Sequence, residues 1–181
     1  MKKKLLWIAM MVLALVGCDH QVKNPKTTED QVKKAEAALF NGDMGVHAEA
    51  VPEAIATFSK YAEEHPEADH APEYLFKAFE LSVNTKQETG KSIELADRLL
   101  SAFPKYDKNP VALFMLATFV YDDQLHDLDK ARECYQRIMR DYPESPFARD
   151  AAISIEQLGM SPDELVRRFE EREELGVGSE E

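Results

Sequence analysis

Two cysteines among 181 residues are too few for a disulfide framework, so any core in this chain must be held by buried apolar surface. Basic residues are also scarce: 22 Lys and Arg stand against 34 Asp and Glu, a net charge of −12. A surface that grips nucleic-acid phosphates needs clustered Lys and Arg, and this balance excludes it. With 7 Gly and 9 Pro the chain is neither collagen-like nor of low complexity. No GxSxG elbow, glycine-rich phosphate loop or HExxH pair occurs. His20, His47, His65, His70 and His126 include no i, i+4 pair that would set two imidazoles on one helical face, so no metal and no cofactor is expected. Adjacent acids such as Asp122-Asp123 and Glu170-Glu171 diverge by about 100° on a helix and cannot flank one substrate as acid and base. Cys134 has no CxxC partner and reads as a half-buried helical thiol. The chemistry of an enzyme is not expected here.

What is present begins with an address. Lys2, Lys3 and Lys4 precede 12 unbroken apolar residues, Leu5 to Val16. As a helix that run reaches only about 18 Å against the roughly 30 Å of a bilayer core, which fits a signal peptide and not a permanent span. The residues Leu15-Val16-Gly17-Cys18 resemble the bacterial lipobox. That resemblance implies removal of residues 1–17, a diacylglyceryl group on Cys18, and a periplasmic domain held to a membrane by acyl chains. Asp19 is similar to the inner-membrane retention signal of enterobacterial-type lipoproteins, a rule other bacterial groups do not follow, so the choice of membrane stays open. Residues 18–27, with Asn24-Pro25, read as the lipidated cysteine and a flexible tether. The signal peptide carries three lysines, so the mature chain would hold 19 basic residues against 34 acidic ones, or −15, and charge alone could not attach it to anionic lipid.

From residue 28 to 174 the chain reads as one all-α domain, with a disordered acidic tail at 175–181. Thr28 can cap a first helix with Val32, Ala35 and Leu39 at helical spacing. Proline in the first turn opens others: Pro52 before Ile55, Phe58 and Tyr61; Pro72 before Leu75, Phe76 and Phe79; Pro110 before Leu113, Leu116 and Val120. Ile93, Leu99 and Leu100 mark a fourth helix near Gly90. Asp127 or Asp129 caps a sixth with Ala131, Tyr135 and Ile138. Ser145-Pro146 opens a seventh that Gly159 stops, and Ser161 to Glu164 forms a capping box for an eighth carrying Leu165, Val166 and Phe169.

The helices repeat. Ala54, Phe58 and Pro66 stand at the same spacing as Ala131, Tyr135 and Pro143, and Ser92, Ala96 and Pro104 keep the small residue and the proline. This pattern resembles the tetratricopeptide repeat, which implies a solenoid of antiparallel helix pairs, about three repeats plus C-terminal helices. The units lie near 28–66, 71–104 and 109–143, and their extra length over the 34-residue family norm is expected in the turns at Thr85–Gly90 and Asp122–Asp127. With the anchor, the chain is similar to the periplasmic repeat lipoproteins of outer-membrane β-barrel assembly. The resemblance implies an interaction module whose leading helices line a groove for a peptide or helix of another envelope protein, with Phe76, Glu80, Phe114, Thr118 and Tyr121 as candidate groove residues. Phe76 and Phe114 serve equally well as core residues. The alternative function is a non-catalytic stabilising subunit of a periplasmic enzyme or transport complex.

Overall fold

The computed structural model describes residues 26–40, 45–86 and 89–174, without the side chains of residues 173 and 174. The signal peptide, Cys18, the tether up to residue 25 and the acidic tail lie outside the described residues. Within them there are eight helices and no strand. They are α1 (Glu29–Leu39), α2 (Val51–Glu64), α3 (Ala71–Asn84), α4 (Thr89–Ala102), α5 (Asn109–Met115), α6 (Leu128–Asp141), α7 (Pro146–Gln157) and α8 (Pro162–Glu174). Helix α5 runs on without a break into a π-helical stretch, Leu116–Gln124.

Local chemistry sets the ends. Thr28 and Gln31 form a reciprocal capping box at α1, Asp127 accepts from Lys130 N at α6 (3.0 Å), and Ser145 accepts from Phe147 N at α7 (3.3 Å). Helices α2, α4 and α6 stop in the same way. His65, Phe103 and Tyr142 each donate their N–H to the carbonyl four residues back, all at 2.9 Å, and a proline follows that cannot extend the ladder.

From α1 to α7 each helix packs against the one before it, and short turns make the neighbours antiparallel. The small residues of the repeat form the seam: Ala54, Ala96 and Ala131 are fully buried and Ser92 nearly so. Ser82 donates to Ser92 across that seam (3.0 Å), so the serine in the second unit is hydrogen-bonded and not left as a buried orphan. Phe58 and Tyr135 are buried and lie against the leading helices α3 and α5: Phe58 stacks on Tyr74 at 6.0 Å, and Tyr135 meets Phe114 edge to face at 5.4 Å. Pro66, Pro104 and Pro143 are exposed in the turns. One apolar cluster runs from α1 to α5 and a second joins α5, α6 and α7, with Tyr121 and Cys134 packed against both.

Two features depart from the sequence pattern. The residues expected in a turn at Asp122–Asp127 are partly taken up inside a helix, because the π-helical stretch has a wider turn and uses more residues for the same length. Helix α8 leaves Val166 and Phe169 exposed. Arg168 ties it to α7 and the α7–α8 turn: its Nη1 donates to Glu156 O (2.9 Å) and lies 3.6 Å from Met160 Sδ.

Candidate functional site

The leading helix α5 and its π-helical extension offer one wall of a groove, closed by α6, the end of α7 and the start of α8. Phe114, Leu128, Tyr135, Leu158 and Leu165 give it an apolar floor, and Thr118, Asp122 and Glu164 stand around it. The Tyr135 hydroxyl and Thr118 Oγ1 share a hydrogen bond of 2.8 Å, which fixes both side chains in the wall. Phe114 also lies 5.5 Å from Phe147 of α7, so the floor is braced from the far side. Gly159 turns the chain from α7 to α8 with φ of +82°, where a Cβ would come within 2.9 Å of Leu128 Cδ1. Glycine is therefore needed to close this corner of the groove.

The five residues expected to line one groove separate into three places. Phe114 and Thr118 lie in the groove just described. Phe76 is buried in the first cluster, 5 % exposed, with Tyr106 at 6.1 Å and the Lys108 ammonium 5.2 Å above its ring. Glu80 is half-buried on the same helix, where its charge acts on the Tyr106 hydroxyl. Tyr121 is turned into the seam beside Cys134 and Asp97, and burial raises its hydroxyl pKa.

The π-helical stretch explains Tyr121. On an α-helix residues 114, 118 and 121 share a face, because residues three and four apart align. In a π-helix the repeat lengthens to i→i+5, as the bond from Leu125 N to Val120 O (3.0 Å) shows. Asp122, four residues after Thr118, keeps its place in the groove wall, while Tyr121 is turned toward α4 and α6.

Other candidate groups have ordinary partners. His65 Nε2 is 2.8 Å from Thr27 O, and His126 Nδ1 is 3.0 Å from Asp122 O. Burial pushes the Cys134 thiol up to about 11, so little thiolate exists at neutral pH. At the start of the fold, Thr27 N donates to Glu64 Oε2 (2.6 Å) and Lys26 Nζ to Glu64 O (2.6 Å). The Thr27 hydrogen bonds hold the Glu64 carboxyl below its usual range. Lys26 and Thr27, which the sequence places in the tether, are thereby strapped onto the end of α2.

A family model described as YfiO, outer membrane lipoprotein, matches residues 31–161, well over half of the chain. The match runs from α1 to the α7–α8 turn and takes in α5, α6 and α7 of the groove but not α8. No curated protein matches the chain.

Proposed function

The chain belongs to the YfiO family of outer membrane lipoproteins, and from that premise we propose that it is a non-catalytic adaptor of the cell envelope. Anchored through Cys18, it holds a peptide or helix of another envelope protein in the groove between α5 and α8. The observation that carries this reading is the combination of an apolar floor, Phe114, Leu128 and Leu158, with carboxylates at Asp122 and Glu164. A segment with aliphatic or aromatic anchors and a basic flank complements both features, and the strongly acidic chain favours its approach.

The test separates capture from folding. Thr118→Trp with Asp122→Lys fills the groove and reverses one charge at half-buried sites on its wall. Capture of the cross-linked envelope partner should fall at least fivefold while the thermal midpoint stays within a few degrees of wild type. Wild-type capture should also weaken from low to physiological salt, because steering between exposed charges is screened. An unchanged yield from the double variant refutes the groove. A second reading, a stabilising subunit of a larger periplasmic complex, draws support from Val166 and Phe169, which are 57 % and 55 % exposed on α8. It requires stoichiometric co-purification that Val166→Asp abolishes and the groove variant does not.

A further inference from the structure

The antiparallel helices give the solenoid two ends. One carries the start of α1 and the turns joining α2 to α3, α4 to α5 and α6 to α7; the other carries the mouth of the groove, with His126, Leu128, Leu158 and Ser161. The strap of Lys26 and Thr27 on Glu64 and His65 lies at the first end, with contacts of 2.6 to 2.8 Å. The domain is therefore fastened from Lys26 onward and not from α1. Cys18 is eight residues earlier, and that length reaches at most about 28 Å whatever its conformation. Helix α6, 14 residues long, separates the two ends by about 21 Å, so bringing the groove mouth to the bilayer would take about three quarters of that full extension, laid along the helices.

We propose that the end carrying the α2–α3 and α4–α5 turns faces the bilayer, with the groove mouth turned away from it by about one helix length. The proposal rests on Cys18 as the anchor. The lipid-facing end is held by the acyl chains without adhering, since exposed Glu67, Asp69, Asp107 and Glu144 outweigh exposed Lys26 and Lys105 there and oppose contact with anionic headgroups. The groove is consequently open to segments that approach from the periplasmic side.

Full-length protein recovered from membranes with its anchor, in a Cys134→Ser background, tests this with a donor dye at Lys105→Cys or Asp123→Cys. Both sites are exposed, one at each end, and neither lines the groove. In phosphatidylcholine vesicles with a short-range acceptor on the headgroups, energy transfer should be at least twofold greater from position 105 than from position 123. The order should persist when phosphatidylglycerol is added. Equal or reversed transfer in protein that floats with the vesicles overturns the orientation and leaves the anchor standing. Inversion on anionic lipid alone assigns the orientation to charge and also overturns it. A chain that does not float overturns the anchor reading, and the orientation with it.

Discussion

At the scale of the residue, Glu73 shows how one carboxylate can join two repeats. It accepts from Lys108 Nζ at 2.9 and 3.1 Å and from the Tyr106 hydroxyl, tying α3 to the α4–α5 turn. Burial pushes its pKa up, but the bonds from Tyr106 and Lys108 outweigh that and leave it below the ordinary 4.5. A carboxylate depressed on folding contributes in full above its unfolded value and loses that contribution as pH falls through its folded one. Glu73→Gln should therefore cost about 1 kcal/mol at neutral pH, and the gap to wild type should close below about pH 4.5. Urea melts across pH 3 to 7 read this, and a constant gap would show that the charge of Glu73 is not what stabilises the turn. The same neighbourhood explains why Phe76 was not assignable from its own helix. Its spacing suits core and groove alike, and what buries it, Tyr106 and Lys108, arrives from the following turn.

At the scale of the element, most of the fold was legible because helix signals are local. Thr28, Ser145 and Ser161 cap where their spacing to the apolar stripe says they should, and the prolines after His65, Phe103 and Tyr142 mark three ends. The small positions were legible too, since Ala54, Ser92 and Ala131 each stand 12 residues before those prolines. Ala131 is fully buried, so Ala131→Trp should lower stability by roughly 1 to 3 kcal/mol, whereas Gln136→Trp on the exposed side of α6 should leave the melting midpoint near wild type. Comparable melts for the two variants would mean the seam lies elsewhere. The π-helical stretch was not legible, because Leu116–Gln124 has the composition of an ordinary amphipathic helix and the surplus residues show only as a long repeat. Deleting Phe119, which is 45 % exposed within that stretch, should let the segment shorten toward α-helix with retained cooperative unfolding. Deleting Gln136 removes a residue from α6, which has none to spare, and should cost more. Circular dichroism melts of the two deletions give the comparison.

At the scale of the whole molecule, each helix is supported by its neighbours in sequence, and α8 is the least supported. Ending the chain after Met160 removes Arg168 and the exposed Val166 and Phe169 but no residue of either buried cluster. Unfolding should remain a single transition with a midpoint within about 4 °C of wild type, as calorimetry can measure. A loss of cooperativity would show that α8 is integral to the fold. The opposite terminus is built in another way. Because Glu64 and His65 hold Thr27, the first two helices form a loop fastened at its base, noncovalently, across 37 residues. A pull on the membrane anchor then enters the protein at the end of α2, along the axes of a packed pair, and must shear several bonds together. Without that fastening the same pull would start at Glu29 and peel α1 away one turn at a time, so the strap makes the solenoid hardest to unravel in the direction from which its anchor tugs.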